Sequence, residues 1–191
     1  MGTHTERPGV DAVVFREALA AVAAPVAVVT SFHGERPHGT TVSAFCSLSL
    51  EPPLVLVSLD RDSDLLRMVR QSRRYGINVL SHDQEELATR FARKGADKFA
   101  EVPWTLDTDL PRLDGTASWI ACRLHDLVDG GDHVIAVGFV EHAEATPASG
   151  LPAVTVSVSR CGLAVMFVVR TYVRRAHTSR RLSRSGSAGG G

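Results

Sequence analysis

The sequence predicts a mainly β protein of one domain, built as an antiparallel barrel with peripheral helices. Strand-like segments outnumber helix-like segments, and several are joined by hairpin turns rather than by the helical crossovers that parallel strands need. The 191 residues suit a single domain and show no internal repeat. This order of elements favours a barrel over a doubly wound sheet.

The first part of the chain predicts a helix followed by three strands. Residues 10–24 form an amphipathic helix with Asp11 as its N-cap, and Pro25 ends it. A β-branched strand follows over 25–32, then a turn at 34–39 and a second strand over 40–50. The segment Glu51-Pro52-Pro53 breaks the pairing, because proline cannot donate to a ladder. The apolar run 54–59 indicates a strand buried on both faces.

The second part predicts two helices and three further strands. Residues 63–72 form a helix with Leu65, Leu66 and Val69 inward. Ser81 and Gln84 make a capping-box pattern before a helix over 84–92, and the segment 95–114 is mostly loop. The remaining strands lie at 75–80, 117–127 and 133–144, the last two joined by the hairpin turn Asp129-Gly130-Gly131-Asp132. Residues 154–159 suit one more strand.

Charge divides the chain close to residue 145. Residues 1–144 hold 21 acidic and 14 basic side chains, whereas residues 145–191 hold seven arginines and no acid. We therefore expect a domain over residues 1–152 and a separate basic segment over 153–191, partly disordered at its Gly/Ser-rich end. A basic tail that binds nucleic acid is one interpretation of this segment, but arginines without interleaved aromatic residues support it weakly.

Cysteine and histidine usage favours a reducing compartment and no metal. The three cysteines, Cys46, Cys122 and Cys161, show no paired spacing, so a cytoplasmic protein is expected rather than a disulfide framework. The eight histidines include no pair at i, i+2 or i, i+4, and Cys-x-x-Cys is absent, so no metal site is predicted. The sequence also shows no signal-peptide pattern and no apolar run of membrane-spanning length.

The segment 40–50 carries the strongest signal for a ligand. A buried strand favours Val or Ile at inward positions, yet much of this strand is occupied by hydroxyl side chains: Thr40, Thr41, Ser43, Ser47 and Ser49. Small hydroxyls and accessible backbone amides suit hydrogen bonding to a flat polar ligand. An edge strand with one wet face would produce the same pattern, and the residues alone leave both interpretations open.

The run GTTVSAFCSLSLEPPLVL, residues 39–56, resembles the signature of the short-chain flavin reductases. Further similarities follow in order: Ser63 between two aspartates, the strand YGINVL, the helix QEELATRFARK, Asp97-Lys98-Phe99, Trp104 and Gly130-Gly131-Asp132-His133. The resemblance covers about residues 12–150. It implies the FMN-binding split barrel, an antiparallel Greek-key type of barrel, and the reductase component of a two-component flavin-dependent monooxygenase.

The resemblance also implies the site residues. Those expected to line the flavin ring and ribityl chain are Thr40, Thr41, Val42, Ser43, Ala44, Phe45, Ser47, Leu48 and Ser49. Those expected near the flavin phosphate are Asp62, Ser63, Asp64, Arg90, Lys94 and Gly95. Ser63 begins a helix, whose dipole favours an anion, although the two flanking acids oppose one. His133 is expected to contact the nicotinamide cofactor; as a residue beside a turn, it equally suits a plain surface histidine.

The activity that this implies is an NAD(P)H:flavin oxidoreductase. Hydride transfer from NADH or NADPH to FMN, with FAD as the alternative, needs stacked rings rather than a nucleophile, which agrees with the scarcity of catalytic motifs. A homodimer is expected, with a monooxygenase component as the acceptor of reduced flavin. The alternatives are a flavin-binding or pyridoxamine-oxidase-like protein that reduces no free flavin, and a non-enzymatic binding barrel.

The ending departs from the family pattern. Family members finish with a strand that carries an aromatic and a basic residue, but residues 153–160, AVTVSVSR, do not resemble that strand. The abrupt loss of acidic residues motivates the hypothesis that the reading frame diverges near Pro152. The hypothesis fails if a one-base shift in the source DNA does not restore a Tyr/His-rich ending.

Overall fold

The computed structural model describes residues 9–95, 97–146, 154–158 and 167–171. The helices are α1 (Ala12–Ala20), α2 (Asp64–Ser72) and α3 (Glu85–Ala92). The strands are β1 (Ala27–His33), β2 (Arg36–Val42), β3 (Phe45–Leu50), β4 (Pro53–Asp60), β5 (Arg74–Val79), β6 (Trp104–Asp107), β7 (Leu110–Leu113), β8 (Ser118–Gly130), β9 (His133–Ala145), β10 (Val154–Val158) and β11 (Phe167–Thr171). The mainly β prediction is confirmed.

Seven strands form one antiparallel sheet in the order β2-β1-β5-β8-β9-β4-β3. In a flat sheet of this order the two edge strands would stand about 29 Å apart, at roughly 4.8 Å per strand. Val42 ends one edge strand and Phe45 begins the other, and three Cα steps span at most about 11 Å. The sheet therefore curls into a barrel. The β3–β4 ladder extends one residue beyond Phe45 into the connection, since the backbone N–H of Ser58 on β4 donates to the carbonyl of Ala44 at 2.9 Å.

Helices cover both faces of the sheet at β1. Ala27 and Val29 belong to the large core cluster, which also contains Leu65, Leu66 and Val69 of α2. Val28 points to the opposite face and packs with Phe91 of α3. This alternation is the period-two pattern of a strand between two packed layers. The inward prediction for Leu65, Leu66 and Val69 is confirmed, since all three are buried.

The hydroxyl-rich segment is two strands rather than the single strand predicted over 40–50. Ser43 and Ala44 interrupt it, so that β2 pairs with β1 and β3 pairs with β4. The turn expected at 34–39 is shorter, because pairing of β2 with β1 already begins at Arg36. Pro53 begins β4 directly opposite Leu50, so the two prolines do not end the pairing but form a tight β3–β4 hairpin.

One further expectation is corrected and another is refined. Strand β4 is buried on only one face, through Val55, Val57 and Leu59, whereas the intervening residues are partly exposed. The described part of 95–114 lies mostly outside helices and strands, as predicted, but it also contains a short hairpin of β6 and β7. The buried Asn78 side chain holds this hairpin: its Oδ1 accepts from Leu113 N at 2.8 Å, and its Nδ2 donates to the carbonyl of Val28 at 3.1 Å.

Helix α1 is shorter than predicted but capped as expected. Asp11 Oδ1 accepts hydrogen bonds from Val13 N at 2.8 Å and Val14 N at 3.4 Å. The helix ends at Ala20, before Pro25, and none of its residues is buried. Its apolar face is exposed through Val13, Val14, Phe15 and Leu19.

The C-terminal strand predicted at 154–159 is present as β10, which pairs with β11 in a separate two-stranded sheet. The predicted basic segment spans residues 153–191, and apart from β10 and β11 it lies outside the described residues. Among the described helices, none is long and apolar enough to cross a membrane. Within the same residues, no group of three or more His, Cys, Asp or Glu side chains is arranged to hold a metal ion.

Candidate functional site

The predicted ring-binding residues lie along the closure of the barrel, which we call the β2–β3 rim (residues 40–49). Thr40, Thr41 and Val42 end β2, Ser43 and Ala44 cross the closure, and Phe45, Ser47, Leu48 and Ser49 lie on β3. Val42 is buried, whereas Ser47 and Leu48 are exposed and Phe45 is half-buried. The rim thus presents polar and apolar groups side by side.

The hydroxyl groups of the rim are mostly uncommitted. Thr41 Oγ1 donates to the carbonyl of Ala88 on α3 at 2.7 Å. Within the described residues, no other side-chain hydroxyl of the rim (Thr40, Ser43, Ser47, Ser49) bonds another protein group. Such hydroxyls remain able to donate and accept toward a ligand. The Thr41 hydroxyl instead ties β2 to α3, so its proton is already used within the protein.

The predicted phosphate residues around Ser63 form the N-terminus of α2. Ser63 is the N-cap: its Oγ accepts from Leu66 N at 3.2 Å and donates to the carbonyl of Asp60 at 2.7 Å. Asp62 is exposed, and Asp64 forms an ion pair with Arg67. The pair partly neutralises Asp64, which lessens the repulsion of an anion by this end of the helix.

The other residues predicted to lie near the flavin phosphate are at the C-terminal end of α3. Arg90 is half-buried, and its Nη1 donates to the carbonyl of Ala100. Lys94 and Gly95 are exposed just beyond the helix, and Gly95 has φ +137°, a backbone conformation that favours glycine. Helix α3 packs on β2, and the hydrogen bond from Thr41 to Ala88 joins the two elements two residues before Arg90.

His133 lies at the base of the β8–β9 hairpin, directly opposite Asp60. Its Nδ1 is 2.8 Å from Asp132 Oδ1, and its side chain is 43% exposed. This hydrogen bond, together with the histidine charge, lowers the pKa of Asp132. Arg61 fastens the hairpin to the start of α2 through its Nη2, which is 2.9 Å from Asp129 Oδ1 and 3.0 Å from the carbonyl of Gly131. The predicted turn is confirmed, with Gly131 at φ +73°.

The structure brings the predicted residues into two neighbouring groups. One joins the end of β2 to α3, and the other joins His133 to the N-terminus of α2 through Asp60. Ala44 connects them, because its partner Ser58 lies two residues before Asp60 on β4, or about 7 Å. From Phe45 to His133 the register crosses two strand spacings and three residues of β9, a separation of about 14 Å.

Lys98 is a residue of this region to which the sequence assigned no role. Its Nζ donates to the carbonyls of Gly39 at 3.1 Å and Phe91 at 3.0 Å, and burial lowers its pKa. Burial, followed by the charge of Lys98, also lowers the pKa of His38. A cation shortly after the end of a helix is a signal for capping of its last carbonyls, and this signal was available in the sequence.

The rim suits a flavin on these grounds. Uncommitted hydroxyls lie beside the exposed side chain of Leu48 and beside Phe45, which is partly buried against the core, and this combination suits a flat ring with polar edges. The capped N-terminus of α2 offers an anion a favourable dipole, while Asp62 opposes it.

Residues 19–156 match the family described as "Flavin reductase like domain". The chain belongs to this family. Among curated relatives it is 39% identical over 138 residues to the "Probable flavin reductase" of Rhizobium meliloti (strain 1021); the match covers 71% of this chain but only 44% of that protein. The identity is also 39%, over 135 residues, to the reductase component of 4-nitrophenol 4-monooxygenase/4-nitrocatechol 2-monooxygenase of Rhodococcus opacus, covering 71% and 73%.

Two other relatives have names that specify both a nicotinamide nucleotide and a flavin. The NADH:FMN oxidoreductase of Rhodococcus qingshengii is 39% identical over 140 residues, covering 71% of this chain and 73% of that protein. The solved structure of the NADH:FAD oxidoreductase SgcE6 of Streptomyces globisporus C-1027, in complex with NAD and FAD fragments, superposes with a TM-score of 0.69. Its identity is 34%, and the match covers 72% of this chain and 84% of that one. The split-barrel fold predicted by the resemblance is thereby confirmed.

Proposed function

We propose that this chain is an NADH:flavin oxidoreductase whose reduced flavin leaves for a separate monooxygenase. The observation that carries the proposal is the β2–β3 rim, where uncommitted hydroxyls lie beside the exposed Leu48 and the half-buried Phe45 in a member of the flavin reductase family. The names of the relatives support the reductase over the pyridoxamine-oxidase-like alternative, because they describe flavin reductases and reductase components.

The protein's task in this reaction is positioning. A bound flavin would supply the redox chemistry, with a hydride coming from the dihydronicotinamide, which would be left oxidised, and a proton from solvent. The hydroxyls of Thr40, Ser43 and Ser47 hold the polar edge of the ring, and Phe45 and Leu48 exclude water from one side of it. The flavin phosphate has two candidate positions, the N-terminus of α2 at Ser63 or the side chains of Arg90 and Lys94 near the end of α3, since α2 and α3 pack on opposite faces of β1.

His133 is the proposed contact for the nicotinamide nucleotide. Asp132 engages Nδ1 and so fixes the orientation of the imidazole ring. The ring is half-exposed, which leaves Nε2 available to a ligand. Its position at the edge of the barrel, about 14 Å from Phe45, suits the second of two nucleotides lying along β4.

We propose FMN as the preferred flavin, with FAD as the alternative, and NADH as the hydride donor. The relatives support both flavins, since one is named for FMN and a solved relative for FAD, and both names specify NADH. The proposed assembly is a homodimer that buries the exposed apolar face of α1. The free thiols of Cys46 and Cys122 support a reducing compartment, the cytoplasm.

Anaerobic stopped-flow spectroscopy tests the proposed function. Wild-type protein is mixed with FMN or FAD and with NADH or NADPH, and loss of the oxidised flavin absorption is followed. We expect reduction fastest with FMN and NADH, well above the protein-free mixture. Equilibrium titration of flavin fluorescence is run in parallel. Binding without accelerated reduction would leave a flavin-binding protein, and neither binding nor reduction would remove the assignment.

A further inference from the structure

Lys98 joins the two elements that carry the predicted flavin contacts. Its ammonium group donates to the carbonyl of Gly39, which precedes Thr40 on β2, and to the carbonyl of Phe91, which follows Arg90 on α3. Both bonds have ordinary lengths for a charged donor, 3.1 and 3.0 Å. One side chain from the loop after α3 thus bridges a strand and a helix.

The charge of Lys98 suits this bridge. Phe91 lies in the last turn of α3 (Glu85–Ala92), where carbonyl groups lack intrahelical partners and the helix dipole is negative. The side chain of Lys98 is half-buried, and within the described residues it takes part in no ion pair with a carboxylate. Its partners are therefore backbone carbonyls, and its effect is to fix the backbone.

The contacts around Lys98 fix the position of β2 relative to α3. A Cβ at Gly39 would lie 3.0 Å from two carbons of the Phe91 ring, so the strand and the helix meet with no spare room. The Phe91 ring packs edge-to-face on Phe99, with ring centroids 5.0 Å apart, next to Lys98 in sequence. The second polar tie between the same elements is the bond from Thr41 to Ala88.

We propose that Lys98 is a positioning residue for flavin binding, which acts by holding the Gly39–Thr40 backbone of β2 against the C-terminal end of α3. Lys98 sets the distance between the rim hydroxyls and the two basic residues predicted to bind the flavin phosphate, Arg90 and Lys94. It does so without contacting the flavin. The inference rests on the proposed function for its ligand, and its measurement is equilibrium binding, which requires no turnover. Loss of the bridge weakens flavin affinity more than it slows the chemical step.

The test compares Lys98→Met, which keeps the stem but removes the donors, with Lys98→Arg, which can still donate to both carbonyls. Arg70→Met, on the exposed face of α2, is the matched control for loss of one charge. We expect Lys98→Met to raise the Kd for oxidised FMN about tenfold, which corresponds to roughly 1.4 kcal/mol. The Lys98→Arg and Arg70→Met variants should stay within about twofold of wild type in the same titration.

Kinetics separate positioning from general loss of structure. In Lys98→Met the KM for FMN should rise with its Kd, while kcat and the KM for NADH stay within about twofold of wild type. An unchanged Kd, or a kcat that falls as far as affinity does, overturns the inference. Should Lys98→Met fail to fold, Lys98→Ala, which has no side-chain donor, is measured instead, and wild-type affinity in that variant overturns it equally. Wild-type protein that binds FMN without reducing it refutes the proposed function but leaves this inference standing.

Discussion

The indole ring of Trp119 lies against the α-carbon of Gly76, so closely that a Cβ at residue 76 would clash with the Cη2 and Cζ3 atoms of the ring. Both residues are buried, Gly76 on β5 and Trp119 on the neighbouring β8. The ring is packed on Leu110 and Ala121, so it has no free space into which it could move to accommodate an added methyl group.

We therefore expect Gly76→Ala to lower the free energy of unfolding by about 3 kcal/mol, through overpacking of the core. Urea denaturation followed by far-UV circular dichroism measures it. Gly130→Ala is the control, since a Cβ there meets no atom closer than 3.6 Å. Equal stability of the two variants would contradict the packing described for Trp119.

Local patterns predicted the elements that depend on neighbouring residues. The hairpin at Gly130-Gly131 follows from glycine at a left-handed position, and the Asp11 cap and the start of the second helix near Ser63 follow from short polar side chains before apolar runs. Each of these signals lies within four residues of the turn, cap or helix start that it determines. It can therefore be recognised without knowing which distant residues are in contact.

Features set by distant partners could not be predicted in the same way. The division of residues 40–50 at Ser43-Ala44 reflects a change of partner from β1 to β4, and the alternation of side chains carries no mark of it. The β6–β7 hairpin is short and contains Pro111, which indicates loop, yet the buried Asn78 binds it from another strand. The family resemblance supplied the candidate site. The bond from Lys98 to the end of α3 has a local signal, a cation shortly after the helix, whereas its bond to Gly39, 59 residues away, needed the fold.

Two substitutions at Ser63 separate capping from anion binding. Ser63→Ala removes the cap and should lower stability by about 1 kcal/mol, whereas Ser63→Asp retains a good N-cap and should stay within about 0.5 kcal/mol of wild type. The added carboxylate would repel a phosphate, so we expect Ser63→Asp to raise the Kd for FMN at least tenfold.

Riboflavin, which lacks the phosphate, provides the control for this pair of variants. Its Kd should be nearly the same in Ser63→Asp and wild type. The Kd values come from quenching of flavin fluorescence, and the stabilities from urea denaturation. A loss of affinity shared by riboflavin and FMN would place the effect of the added carboxylate away from the phosphate.

His133→Asn should weaken the use of NADH without weakening flavin binding. The side chain is half-exposed and bonds only Asp132 among the described residues, so we expect stability to change by less than about 0.5 kcal/mol. Loss of one hydrogen bond to the nucleotide should raise the KM for NADH about tenfold. His125→Asn, an exposed histidine of the same hairpin, is the matched control in steady-state kinetics. An unchanged KM for NADH in His133→Asn would show that His133 does not contact the nucleotide and is a plain surface histidine.

Arg112 makes stability depend on pH at the acid end. Its Nη1 lies 2.8 Å from carboxylate oxygens of Asp107 and Glu144, and the hydrogen bond from Arg112, followed by its charge, lowers the pKa of Glu144 from the ordinary 4.5. Because the folded-state pKa is below the unfolded one, the stabilisation is present above about pH 4.5 and disappears as pH falls through the folded-state pKa.

Arg112→Met should consequently be less stable than wild type at pH 7, and the difference should shrink as the pH falls below about 4. Urea denaturation at half-unit steps from pH 7 to pH 3 measures the two curves. A difference that stays constant across this range would assign the effect of the substitution to packing of the Arg112 stem rather than to its ion pairs.

The exposed apolar face of α1 provides the test of the proposed homodimer. Phe15 is 54% exposed, and burying such a ring in an interface contributes about 2 kcal/mol. A charge in its place would also have to be desolvated, so we expect Phe15→Glu to raise the dimer dissociation constant at least 30-fold. Sedimentation velocity over a range of protein concentrations measures this, with Arg16→Gln as a control that changes the net charge by the same one unit. Because α1 is capped by Asp11 and buries none of its own residues, the substitution leaves the barrel core intact. A Phe15→Glu variant that sediments as wild type does at every concentration would mean that this face of α1 is not the dimer interface.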